Sequence, residues 1–182
     1  MKRAIALLMI LGCMSMPVQA ALDVGDAAPD FSVPAALGGK VFQYRLSEQL
    51  AKGPVVLYFF PAAFSEACSI EARQFAEAID KFKALGASVI GVSSDDIELI
   101  TRFSVQACQG RFPVAADENK TVLKAYDAVM QTRPDFANRV SYLIAPDGKV
   151  AYSYLSLNPN KHVENTLAAL AQWAKQNPPR LR

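Results

Sequence analysis

The sequence predicts an α/β domain with a mixed central sheet and helices on both faces. "PVVLYFFP", residues 54–61, is an apolar run between two prolines, as expected of a strand buried on both faces. The period then changes. Ile70, Phe75, Ala78, Ile79 and Phe82 recur at helical spacing as far as Gly86, where "ASVIGV" begins a second buried strand. Strand, helix and strand in succession imply a parallel pair with a right-handed crossover. "RVSYLIAPDGKVAYSYL" reads as two further strands around a "PDG" turn, which adds antiparallel members.

The other elements follow in order. Lys2 and Arg3, the apolar stretch Ala4 to Leu11 and the small-residue site "PVQA" predict a signal peptide over 1–20, with cleavage after Ala20. Residues 21–182 then form one domain of a size able to build its own core. "ILGC" offers a lipoprotein site as the alternative, with a membrane anchor at Cys13. Either way the chain is expected to be exported, periplasmic in a bacterium. "VGDAAPDF" reads as a loop, and "LGGKVFQYRL" as a turn and a short strand. In "SSDD", Asp95 with Glu98 predicts a capping box for a helix that runs toward Cys108 and stops near Gly110. "FPVAAD" is extended, "ENKTVLKAYDAV" a short helix, Lys161–Gln176 the last helix and "NPPRLR" a frayed tail. Tyr126 and Trp173 read as core residues on helix faces.

Charge excludes some functions. Lysine and arginine number 19 against 17 acidic residues, a net charge of +2, and Lys2 and Arg3 leave with the signal. The remainder is close to neutral, with no basic stripe for nucleic acid and no polybasic run for a membrane surface. Of three cysteines, Cys13 lies in the signal, so Cys68 and Cys108 remain. In an oxidising compartment two thiols are expected to form a disulfide, structural or part of a reaction cycle.

Cys68 stands in "FFPAAFSEACSIEA". Ser65 as N-cap places it in the first turn of the following helix, where unpaired N–H groups and the macrodipole favour a thiolate. A partly exposed thiolate is what attack on a peroxide O–O bond requires. A buried structural cysteine is the competing reading, and the spacing alone leaves both open.

"PAAFSEACSIE" resembles the Pro-x-x-x-Ser/Thr-x-x-Cys pattern of the peroxiredoxins (AhpC/TSA type), and Glu71 resembles their bacterioferritin-comigratory, or PrxQ, branch. The likeness extends over about residues 23–176. "APDFSVPAALGGKVFQYRLSEQLAKGPVVLYFFP", "IGVSSDD", "FPVAADENKTVLKAYDA" and "RVSYLIAPDGKV" resemble peroxiredoxin segments in the right order. The resemblance implies a thioredoxin-like fold and thiol peroxidase activity, with no cofactor and no metal. It implies that Cys68 attacks the peroxide, that Ser65 hydrogen-bonds thiolate and substrate, that Pro61 shields the pocket, and that Arg139 is brought beside the thiolate from a distant strand. A guanidinium there would stabilise the thiolate and the charge developing on the leaving oxygen.

Without the resemblance, Arg139 reads as a surface ion-pair residue, Glu71 as a charge in the first helical turn, and His162 as structural or solvated. Arg73, Arg111 and Arg133 are candidates for a second cation. The branch often carries a second cysteine five places after the first, but that place here is Arg73. The resemblance then implies Cys108 as the resolving partner, forming an intramolecular Cys68–Cys108 disulfide. Cys108 as a bystander in the core is the alternative. The implied partners are a peroxide and a thioredoxin-like protein reductant, acting on a monomer. Two rival functions remain: an exported thioredoxin-like thiol-disulfide oxidoreductase, although residues 65–71 lack Cys-x-x-Cys, and a non-catalytic binding domain with a structural disulfide.

Overall fold

The computed structural model describes residues 21–178. The signal peptide expected over 1–20, the lipid site at Cys13 and the last four residues lie outside that range. Strands β1 (Ser32–Leu37) and β2 (Lys40–Arg45) form a hairpin, followed by α1 (Leu46–Leu50) and β3 (Val55–Phe59). Helix α2 (Glu66–Ala84) leads to β4 (Ser88–Ser93), and α3 (Ile97–Gln106) to β5 (Val114–Ala116). Then come α4 (Thr121–Ala125), the hairpin of β6 (Val140–Ile144) and β7 (Val150–Leu155), a 3₁₀ turn at Pro159–Lys161, and α5 (His162–Gln176).

The seven strands lie in the order β2-β1-β5-β4-β3-β6-β7. β4 pairs in parallel with β3 and β5, and the other neighbours are antiparallel. This is the expected mixed sheet. Alternation along β3 divides the core. Val56, Tyr58 and Phe60 pack beneath α2, α3 and α5 with Phe75, Phe82, Phe103 and Leu170. Val55, Leu57 and Phe59 face the other way, onto α1 and α4 through Leu46, Leu50, Val122 and Leu123.

Several expectations need correction. β1 occupies a stretch that gave no strand signal, because small residues and Pro34 break up its alternation. Its ladder with β5 is confined to Ala35 and Ala36, just past the proline that has no N–H to contribute. The cap of α3 is Asp96, whose Oδ1 accepts from Leu99 N at 2.7 Å. Asp95 instead accepts from Ala63 N at 2.7 Å and Ser93 Oγ at 2.8 Å, tying the loop after β3 to the end of β4. Ile70 is exposed, although it matches the helical period. Tyr126 is buried just beyond α4, its hydroxyl donating to Pro29 O at 2.7 Å, whereas Trp173 is half-buried.

Candidate active site

The loop leaving β3 turns at Pro61 and passes directly into α2. Ser65 caps that helix, its Oγ accepting from Cys68 N at 3.4 Å and donating to Ala62 O at 3.0 Å. Cys68 therefore sits in the first turn, as the capping pattern predicts. Its side chain is turned inward and is 1% exposed. Pro61, seven positions earlier, is half-buried, and Ser65 is exposed. With its hydrogen directed at Ala62 O, Ser65 serves here as the cap, and a contact to substrate requires its hydroxyl to rotate.

The guanidinium expected from a distant strand is Arg139, one residue before β6. Every nitrogen of its head group is used. Nε donates to Leu157 O at 3.0 Å, Nη1 to Glu71 Oε2, and Nη2 to Cys68 Sγ at 3.3 Å. The end of the β6–β7 hairpin fixes its backbone, since Ser156 N donates to Arg139 O at 3.1 Å. Burial opposes the charge on Arg139, but Glu71 and Cys68 outweigh burial and push its pKa above the ordinary value. The other cations lie elsewhere: Arg73 is exposed, Arg111 pairs with Asp80 at 2.6 Å, and Arg133 stacks on the Phe136 ring at 4.1 Å.

Glu71 and His162 depart from their sequence-based reading. Glu71 is fully buried and ion-paired with Arg139, not a solvated first-turn charge. It lies three residues after Cys68, and that spacing places both on one face of α2. Burial pushes its carboxyl up to about 8, against the pull of Arg139. His162 is also fully buried. Its Nδ1 lies 2.8 Å from Ser141 Oγ and 3.6 Å from Glu71 Oε1, and its Nε2 lies 2.8 Å from Ser156 O. No local pattern points to this proximity. Ser141 carries a partial sign of it, as a polar residue inside the apolar run "VSYLI", since buried hydroxyls need partners.

Cys108 follows the end of α3 and is fully buried, in the same core cluster as Cys68. Both are free thiols. Burial pushes the Cys108 thiol far up, which keeps it protonated. Tyr58 stands within electrostatic reach of both cysteines, Glu71 and Arg139, and its buried hydroxyl has no hydrogen-bond partner.

A buried thiol at a helix start, with a guanidinium against its sulfur on a thioredoxin-like sheet, defines a thiol-redox protein. A family model described as the AhpC/TSA family matches residues 24–153. Peroxiredoxin Bcp of Escherichia coli K12 is 28% identical over 161 residues, covering 86% of this chain and 97% of its own length. A chloroplastic 2-cysteine peroxiredoxin of Chattonella marina var. antiqua is 30% identical over 85% of this chain and 83% of its own. The crystal structure of peroxidoxin BcpB from Mycobacterium tuberculosis superposes with a TM-score of 0.74 at 28% identity, covering 82% of this chain and 96% of that one. The chain belongs to the AhpC/TSA family of peroxiredoxins, which are thiol-dependent peroxidases.

Proposed function

We propose that Cys68 is the peroxide-reactive thiol of an exported two-cysteine peroxidase. The observation that carries this reading is the donation from Arg139 Nη2 to Cys68 Sγ at 3.3 Å. The Cys68 thiolate attacks one oxygen of a hydroperoxide and the O–O bond breaks. Sulfur becomes a sulfenic acid, and the departing hydroxide or alkoxide takes up a proton to leave as water or alcohol. Arg139 stabilises the charge that moves from sulfur to the leaving oxygen. Pro61 walls the approach, and Ser65 holds Cys68 in the first helical turn. Cys108, whose burial disfavours a thiolate, is suited to the second step only. Once uncovered it attacks the sulfenic sulfur, forms the Cys68–Cys108 disulfide and releases water. A thioredoxin-like dithiol then reduces that bond by exchange. Both cysteines of the cycle belong to one chain, so a monomer is sufficient for it. Export follows from the expected 1–20 signal, with a lipid anchor at Cys13 as the other form of it.

Stopped-flow peroxide reduction by Cys68→Ser and Cys108→Ser tests the reading. Cys68→Ser is expected to be inactive. Cys108→Ser is expected to consume one equivalent, stall as sulfenic acid and over-oxidise in excess peroxide. Activity that persists in Cys68→Ser overturns the assignment. Rapid turnover of Cys108→Ser with a thioredoxin-like donor replaces it with a one-cysteine cycle.

A further inference from the structure

Residues 61–65 join β3 to α2 and decide where Cys68 stands. Pro61 has no N–H to offer, and Ser65 directs both its N–H and its Oγ at Ala62 O. Among the described residues, this loop makes one hydrogen bond to a part of the chain beyond α2: Ala63 N donates to Asp95 Oδ2 at 2.7 Å. Asp95 stands in the turn between β4 and α3 and is aimed from its own side. Ser93 Oγ donates to the same Oδ2 at 2.8 Å, and Asp95 N donates back to Ser93 Oγ at 3.2 Å. Ser93 is fully buried at the end of β4, so the carboxyl group is braced against the sheet.

Strain follows directly after this tie. Phe64 holds φ at 64°, a left-handed conformation that an aromatic residue keeps only where its surroundings impose it. Asp95 imposes it from the Ala63 side, and Phe103 from the ring side, edge-on at 5.3 Å. Ser65 comes next. It holds Cys68 N through Oγ at 3.4 Å and Ser69 N through its carbonyl at 2.9 Å. Releasing Ala63 N lets Phe64 return to an ordinary negative φ. That rotation turns Ser65 away, and the thiol leaves its register with Arg139. Phe103 connects the second cysteine, because its carbonyl accepts from Cys108 N at 3.2 Å. A loop that swings off Phe103 thus uncovers the segment leading to Cys108.

We propose that Asp95 is a positioning residue for peroxide reduction and the latch on the loop before Cys68: while it holds Ala63 N, Cys68 stays against Arg139, and when it lets go, Cys68 is released toward Cys108. This rests on Cys68 being the peroxide-reactive thiol. The latch then divides the fate of the Cys68 sulfenic acid. Held closed, the sulfur meets a second peroxide, takes one oxygen to become a sulfinic acid, and water or alcohol departs. Opened, it meets the Cys108 thiol, an S–S bond forms and water leaves.

Asp95→Ala is expected to slow the first peroxide step by up to about 10²-fold, the cost of misplacing a reacting group by about 1 Å. Disulfide formation, followed by mass spectrometry after rapid quenching, should speed up several-fold in the same variant. The over-oxidised fraction in excess peroxide should fall with it. Asp95→Asn keeps an oxygen to accept from Ala63 N and should lie close to the wild type in both rates. Asp30 supplies the control for general destabilisation. It accepts from Ser47 N at 2.9 Å at the start of α1, on the other face of the sheet. Asp30→Ala should lower the urea midpoint and leave both rates unchanged. In the reduced protein, amide exchange at Cys68 and Ser69 should rise in Asp95→Ala and stay slow in Asp30→Ala. A wild-type peroxide constant in Asp95→Ala, a fall of both rates together, or the same changes in Asp30→Ala overturns the latch. If Cys68→Ser retains activity, the reading of Cys68 fails, and exchange at those two amides still judges the latch separately.

Discussion

Arg139 and Cys68 are 71 positions apart in the chain and meet at 3.3 Å, Nη2 to Sγ. Two unrelated local devices create the contact. The Ser65 cap fixes the thiol in the first turn of α2. The β6–β7 hairpin delivers the guanidinium, with Leu157 O holding Nε. Glu71, one helical turn beyond Cys68, fixes the third nitrogen, so the head group reaches the sulfur already oriented.

Replacing Arg139 with alanine is expected to slow the peroxide step on the order of 10²-fold or more, the usual loss on removing one charge-stabilising donor. It also strips Glu71 Oε2 of its partner inside the core, so stability should fall by about 1–3 kcal/mol. Arg139→Lys should recover little rate, because an ammonium cannot serve Leu157 O, Glu71 and Cys68 at once. Peroxide stopped-flow beside urea unfolding checks both effects. A wild-type rate constant in Arg139→Ala would remove the arginine from the reaction.

Much of this site was legible in the sequence, for identifiable reasons. Local rules placed Cys68, because a cap and a helical period act over a few residues. The family pattern supplied Arg139, which no spacing argument could have brought to a thiol on another element. Glu71 reads from the sequence as solvated because a charge near a helix start ordinarily is. Its inward direction was implicit in sharing a helix face with Cys68. His162 could not be found, since its place behind Glu71 depends on how α5 packs across the β6–β7 hairpin. β1 was missed because Pro34 and two alanines hide a strand that tertiary pairing imposes.

Gly91 on β4 lies under Tyr58, which stacks on Phe75 with ring centroids 4.4 Å apart. A Cβ at residue 91 would stand 2.7 Å from Tyr58 Cζ and 2.8 Å from its hydroxyl oxygen. The ring is held from its other side and cannot withdraw. Gly91→Ala is thus expected to destabilise the fold by about 1–3 kcal/mol through overpacking, read as a lower urea midpoint. Because Tyr58 borders the site, the peroxide rate constant should fall as well. An unchanged midpoint would mean that the aromatic cluster is looser than the stacking indicates.

His162 also predicts how stability follows pH. Burial, then the Arg139 charge, hold its folded pKa near 4, below its ordinary 6.5, although the Ser156 contact pulls the other way. With the folded value depressed, the unfolded chain takes up a proton first as pH falls. The contribution of His162 is therefore fully present above pH 6.5 and is lost between 6.5 and about 4. Glu71 runs oppositely. Its folded value is raised, so its contribution is present below about 4.5 and is lost as pH rises toward 8. Comparing His162→Gln with the wild type isolates the first effect. The melting temperature of the wild type should drop on the order of 5 °C more than that of the variant between pH 6.5 and 4.5. Parallel curves would mean that the imidazole is protonated in the fold.

The last prediction concerns how two buried thiols come to bond. A disulfide requires Cα atoms about 4.4–6.8 Å apart and facing Cβ vectors, yet Cys68 is locked by the Ser65 cap and by Arg139. Cys108 is anchored by its own N–H to Phe103 O at 3.2 Å. For the proposed disulfide to form, one of these segments is expected to open. The loop before Cys68 is the weaker candidate to stay shut. Phe64 holds φ at 64°, a left-handed conformation that costs a non-glycine residue about 1–2 kcal/mol. Its exposed ring makes an edge-on contact at 5.3 Å with Phe103, on the helix that ends just before Cys108. In the proposed cycle, oxidation of Cys68 to a sulfenic acid changes the group that Arg139 Nη2 contacts, so the first turn of α2 is expected to lose that tie. Amide exchange is therefore expected to be slow at Cys68–Ala72 in the reduced protein. In the disulfide form it should speed up by roughly 10²-fold there and around residues 104–110, as for a local opening well below the global unfolding free energy. Mass spectrometry of the peroxide-treated protein should find the 68–108 bond within one chain. A disulfide form that keeps full protection in both segments would show that the thiols meet without unwinding, and the opening step would be wrong.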